Sequence, residues 1–215
     1  MTSKFSSCVL SLALLAALGA TLSGCVPLVV GGAAMSAMVA TDRRTCGARL
    51  EDEGIELRGG ARLRDTFGDR AHINITSYNR QVLLSGEVPT DAAKQQAEQV
   101  ISRVENVKTI VNELTVAGNS TLVQRSSDVL ITGKVKASLV DAKDLYAGAF
   151  KVVTERGTVF LMGRVTQQEA DRATAIARQV DGVQRVVRMF EVIGEDEMRR
   201  IQTQLAPTAP ASPRP

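Results

Sequence analysis

The chain has 215 residues, with 44% apolar and 3% aromatic side chains, and 26 Lys/Arg against 23 Asp/Glu give a formal net charge of +3. A balance so near neutrality, with no basic run and no aromatic platform, argues against nucleic-acid binding. One histidine and three cysteines, in no nucleophile or metal-ligand spacing, give no basis for a catalytic, cofactor or metal assignment. The chain is read as a non-enzyme.

The N-terminus is a targeting segment. Lys4 supplies a positive n-region, and Val9 to Ala20 is an apolar run too short to span a bilayer. Leu22-Ser23-Gly24-Cys25 follows and resembles a bacterial lipobox, so residues 1–24 are expected to be removed and Cys25 to carry the acyl chains. In lipoproteins with this motif, Val26 rather than Asp after the cysteine implies passage to the outer membrane. Residues 25–48 are read as an apolar tether; its Gly31-Gly32 pair is not a phosphate loop, because no strand precedes it and no Lys-Ser/Thr follows. Cys46 is then the one remaining thiol, read as a tolerated linker residue in preference to an intermolecular disulfide.

The rest is written twice. Ile75 matches Val152, Val82 matches Val159, Leu84 matches Leu161, Gly86 matches Gly163 and Val88 matches Val165. After one extra residue, Pro89, Thr90 matches Thr166, Val104 matches Val180 and Ile110 matches Val186. A fixed offset carrying apolar positions, a glycine and a helix cap together is the mark of a duplicated unit. The copies are placed at 49–118 and 122–194.

Each unit is expected to begin with a helix. In the first copy it runs from Glu51 to Phe67 and is weakened by Gly59 and Gly60. In the second it runs from Asp128, read as the N-cap, to Leu139, with Ile131, Val135 and Leu139 on one face. A hairpin follows: Ile73, Ile75, Val82 and Leu84 alternate with polar residues around Tyr78-Asn79-Arg80, and Val152, Val159 and Leu161 do so around Glu155-Arg156-Gly157. Gly86 and Gly163 are assigned a structural role, the close approach of helix and sheet. Thr90 and Thr166 cap second helices running to Val104 and Val180, with Asn106 and Gly182 as left-handed C-terminal residues. Final strands span 107–116 and 183–192. The fold class is α+β: two tandem units of order αββαβ, each a three-stranded mixed sheet with two helices packed on one face. Residues 195–215 are read as a short helix, Glu195 to Leu205, and a disordered Pro/Ala-rich tail. Glu51-Asp52-Glu53 and Glu195-Asp196-Glu197 lie where carboxylates favour a helix N-terminus.

The order of elements, with Val82-Leu83-Leu84-Ser85-Gly86-Glu87-Val88 in one copy and Val159-Phe160-Leu161-Met162-Gly163-Arg164-Val165 in the other, resembles the BON domain. Two such units behind a lipobox resemble the dual-BON outer-membrane lipoproteins of Gram-negative bacteria, over nearly the whole mature chain. The resemblance implies a non-enzymatic role in envelope integrity at the periplasmic face of the outer membrane. It also implies binding of anionic phospholipid through the second BON domain, and enrichment at division sites.

The residues bear on this independently. Residues 50–118 carry 8 Lys/Arg against 11 Asp/Glu, and residues 122–194 carry 11 against 8, so the second copy is the basic one. On its leading helix Val129, Leu130, Lys134 and Lys136 lie off the Ile131-Val135-Leu139 stripe and form the candidate phospholipid-binding set. The competing reading of Val129 and Leu130 is packing against the linker or the other domain. In the relatives a tryptophan stands where this chain has Leu130. The alternative function is a lipid-anchored scaffold for envelope assembly or division proteins, without lipid recognition.

Overall fold

The computed structural model describes residues 42–205. Residues 46–48, expected in the tether, belong to the first helix, and the expected signal sequence, Cys25, the tether as far as residue 41 and the Pro/Ala tail lie outside the described residues. Among them the order is α1 (Cys46–Phe67), β1 (His72–Tyr78), β2 (Gln81–Val88), α2 (Asp91–Ser102), β3 (Thr109–Asn112) and β4 (Thr115–Val116) in the first copy. The second copy has α3 (Leu122–Asp141), β5 (Phe150–Glu155), β6 (Thr158–Val165), α4 (Gln167–Arg178) and β7 (Arg185–Val192), and α5 (Glu195–Leu205) follows. Both copies therefore have the αββαβ plan. In each, the hairpin is antiparallel and the last strand pairs parallel to the second hairpin strand, giving mixed sheets.

Both leading helices begin earlier than expected. Thr45 caps α1 by accepting from Ala48 N, and Thr121 caps α3 in a reciprocal capping box with Gln124. Asp128 is thus not an N-cap. It lies inside α3, 6% exposed, and its carboxylate accepts from Arg156 N and Gly157 N, both at 2.8 Å. Asp52 does the same in α1: Asn79 N and Arg80 N donate to it at 2.7 and 2.8 Å, so it is a buried clamp and not a helix-terminus charge. The clamped hairpin turns hold Asn79, Arg80, Arg156 and Gly157 at φ between 49 and 70°, the paired left-handed geometry of a two-residue turn.

Other boundaries shift as well. Helices α2 and α4 end at Ser102 and Arg178, so Asn106 (φ 67°) and Gly182 (φ 93°) turn the chain into the last strand and do not terminate the helices themselves. The last strand of the first copy is split into β3 and β4. Opposite the break lies Gly86 at φ 111°, and Asn112 Oδ1 turns inward to accept from Leu114 N at 3.3 Å. The glycine role is also corrected. A Cβ on Gly86 would lie 2.1 Å from the His72 carbonyl oxygen, and one on Gly163 would lie 2.5 Å from that of Ala149. The close approach is to the backbone at the start of the neighbouring strand, His72 of β1 and Ala149 just before β5, not between helix and sheet.

Each unit has a core between its helices and its sheet. In the first it is built on Ile55, Leu63, Val82, Leu84 and Ile101; in the second on Val135, Leu139, Val159, Leu161 and Ala173. A third core lies on the opposite sheet faces: Tyr78 and Leu83 from one copy pack with Phe160, Met162 and Met189 from the other. The alternation expected along β2 and β6 therefore fails. Leu83 and Met162 are fully buried and Phe160 is 2% exposed, because both faces of each sheet are covered. The layers run helices, sheet, sheet, helices, with the two sheets back to back.

A strap and α5 are fastened to the second copy. Arg43, 5% exposed, donates to both carboxylate oxygens of Glu169 at 2.7 and 2.6 Å and to Arg164 O at 3.0 Å. Arg164 in turn reaches Arg43 O, Glu191 and Glu197 of α5. Burial alone would raise the Glu169 carboxyl, but Arg43 and the Thr166 amide outweigh it and hold the group below the usual carboxylate range. Among the described residues no helix is long and apolar enough to cross a membrane.

Candidate functional site

The second copy's leading helix faces two ways. Ile131, Val135 and Leu139 fill the core, at 6, 0 and 1% exposed, and Asp128 beside them clamps the hairpin. The opposite side is apolar and open. Leu122, Val123, Val129 and Leu130 are 80, 79, 71 and 68% exposed, and Val140 extends the ridge to the last turn of α3. At 100° per residue, Leu122, Val129, Gly133 and Val140 fall on one line, with Ser126, Leu130 and Ala137 beside it. A Cβ built on Gly133 meets nothing, so this line is solvent-facing throughout. Lys134 and Lys136 are exposed and fall on opposite flanks of the line, and neither has an ion-pair partner among the described residues.

All four candidate residues of the set, Val129, Leu130, Lys134 and Lys136, are therefore on the surface of one helix. Neither Val129 nor Leu130 is buried against the linker or the first domain. Leu122, Val123 and Val140 belong to the same ridge and fall outside the expected helix, which was bounded by Asp128 and Leu139. Thr121-Leu122-Val123-Gln124 is itself a capping-box pattern, and it was the available signal. Cys25 lies outside the described residues, so the distance from the anchor to this ridge is not part of the geometry.

Beside the ridge, at the junction of the copies, is a cavity of about 320 Å³ lined by His72, Asn74, Arg125, Asp128, Val129 and Glu155, among others. No metal-ligating set was visible in the sequence, but folding brings His72, Glu87 and Glu155 together with one ligand atom from each within 4.8 Å of the others. Glu87 is fully buried; Ser120 N donates to it at 3.2 Å and Arg156 Nη1 at 3.3 Å, and His72 Nδ1 lies 3.0 Å away. Burial opposes its charge, but these partners outweigh burial and hold the Glu87 carboxyl below its ordinary range. Glu155 goes the other way. Burial pushes it up, and the nearby Glu87 adds to that against a hydrogen bond from Asn74.

Comparison with known proteins agrees with this architecture. The BON domain model matches residues 52–118 and again 127–194. The chain is 39% identical over 180 residues to the Haemophilus influenzae protein named outer membrane lipoprotein DolP, covering 82% of this chain and 93% of that one. It is 34% identical over 154 residues to the 21 kDa hemolysin of Actinobacillus pleuropneumoniae, with 71% of this chain and 79% of the relative covered. Osmotically-inducible protein Y of Escherichia coli K12 is 31% identical over 141 residues, with 64 and 70% covered. None of these names is that of an enzyme family. With two matched BON units packed sheet to sheet, and likeness to DolP along most of its length, the chain belongs to the BON-domain family.

Proposed function

We propose that this protein is an outer-membrane lipoprotein facing the periplasm, held by acyl chains on Cys25, which supports envelope integrity by binding anionic phospholipid through α3. The observation that carries the reading is the exposed ridge Leu122–Val140 with a lysine on each flank. A helix lying at a bilayer surface needs this pattern: an apolar line that enters the acyl boundary and cations at head-group level. Each lysine contributes up to about 1 kcal/mol near an anionic leaflet, and full burial of a leucine or valine side chain contributes about 1.5–3 kcal/mol. The likeness to an outer membrane lipoprotein supports the location. Enrichment at division sites is part of the same proposal and rests on the family resemblance alone.

The chain has no tryptophan, which makes a direct test available. A Leu130→Trp variant places a single indole on the ridge. Its emission is expected to shift to the blue on vesicles containing phosphatidylglycerol and to stay unshifted on purely zwitterionic vesicles. Emission that ignores anionic vesicles at low salt would leave the scaffold reading, in which the ridge is covered by a protein.

A further inference from the structure

The chain's one histidine has been drawn into the junction between the domains, among carboxylates. His72 opens β1 and is paired in register with Glu87 of β2, while Glu155 ends β5 in the other domain. We propose that His72, Glu87 and Glu155 form a binding site for a divalent transition metal of the zinc class, linking the two BON domains.

The geometry fits such an ion. His72 Nδ1 and Glu87 Oε2 are 3.0 Å apart, and a widening of about 0.4 Å gives the separation of two ligands each about 2.1 Å from a tetrahedral ion. Glu155 supplies the third atom within the same 4.8 Å limit. One imidazole and two carboxylates suit zinc-class ions; an imidazole disfavours calcium and magnesium, which take oxygen alone.

The surroundings support the set. Asn74 Nδ2 donates to Glu155 Oε2 at 2.8 Å and fixes that carboxylate, as outer partners of metal ligands do. Arg156 takes the other oxygen of Glu87, Oε1, while Oε2 faces His72 and is held in place by Ser120 N at 3.2 Å. The cavity of about 320 Å³ is lined by both His72 and Glu155, which gives an entry path from solvent. An independent observation lies one pleat away. Ser85 Oγ, on the same side of β2 as Glu87 and opposite Asn74, is the one buried side-chain polar atom among the described residues with no hydrogen-bond partner. Buried hydroxyls are rarely left so. This one leaves a polar group open on the face of β2 that carries Glu87.

The test is zinc binding by the untagged full chain in a non-ionic detergent, stripped with chelator, in a Cys46→Ser background because that thiol is exposed. Titration calorimetry with Zn²⁺ alone is expected to show one saturable site. Binding should weaken by at least about tenfold in both His72→Asn and Glu155→Gln, since even outer-sphere changes cost on the order of 10–100-fold. Glu87→Gln is not relied upon, because loss of a fully buried charge partner to Arg156 can prevent folding. Zn²⁺ should also raise the thermal midpoint of the parent and leave that of Glu155→Gln unmoved. Absence of saturable Zn²⁺ binding, or binding unchanged in either variant, would overturn the proposal.

Discussion

At the scale of residues, Asp52 and Asp128 show how one carboxylate organises a copy. Each sits on the buried side of its leading helix and accepts two backbone N–H groups from the hairpin turn, which ties helix to sheet. The turns they hold are left-handed, and this sequence meets that demand unequally: Gly157 in the second copy but Arg80 in the first. A side chain in that region costs roughly 1–2 kcal/mol. Arg80→Gly is therefore expected to stabilise the protein by about 1 kcal/mol, read as a rise in the urea midpoint. Gly157→Ala should lower it, with its Cβ only 3.0 Å from Gln184 Cγ.

Tyr78 makes a second residue-level prediction. Its hydroxyl donates to Ala149 O at 3.4 Å and accepts from Arg164 N at 3.3 Å, while the Arg44 guanidinium lies 4.2 Å from its ring centre. Burial, with the charge of Asp42, pushes the phenol up from 10.0 to about 12. A raised folded value means the protonated form is favoured in the native state. That stability is fully present below pH 10 and is lost as pH rises through about 12, a change on the order of 3 kcal/mol. Denaturant titrations of wild type and Tyr78→Phe should converge over this interval, the variant showing the shallower fall.

At the scale of elements, α3 does two jobs on opposite faces, and only one was fully legible. The Ile131-Val135-Leu139 spacing announced the buried side. The open side reaches back past Val129 to Leu122, because Thr121 and Gln124, and not the periodic stripe, set the helix start. The repeat made the αββαβ plan readable, since paired positions such as Leu84 and Leu161 face the helices in both copies. What the repeat could not announce was the third core. Leu83 and Phe160 occupy the alternate positions of strands, and an apolar residue there reads as exposed unless a second sheet is known to cover it. His72 and Glu87 face each other within one hairpin, but Glu155 was hidden for a similar reason: it joins them only where the two sheets meet.

The two lysines of α3 are predicted to act as charges and not as packing groups, being exposed and without ion pairs among the described residues. The double change Lys134→Glu and Lys136→Glu should leave the melting temperature within about 2 °C, as surface substitutions do. Affinity for anionic vesicles should fall by at least about tenfold, and the remaining binding should lose its salt dependence. A large loss of melting temperature would instead assign these residues to the fold.

At the scale of the whole molecule, back-to-back sheets make the two domains one body. Phe160, Leu83 and Met162 are buried only because the copies meet, and polar links such as Asn74 to Glu155 and Lys151 to Glu56 frame them. Phe160→Ala should cost about 3–5 kcal/mol and split a single calorimetric unfolding transition into two. A variant that melts in one unshifted transition would mean that the sheets do not need each other. Such a rigid pair fixes the direction in which α3 presents its ridge, and the central claim is that this ridge reads anionic lipid. The most direct measurement is co-sedimentation of the chain from Thr41 onward, without acyl chains, with liposomes with and without phosphatidylglycerol, for wild type and Leu130→Glu. The account predicts binding that requires the anionic lipid, weakens with salt and is lost in Leu130→Glu. Wild-type protein that stays in the supernatant with anionic liposomes at low salt would contradict it.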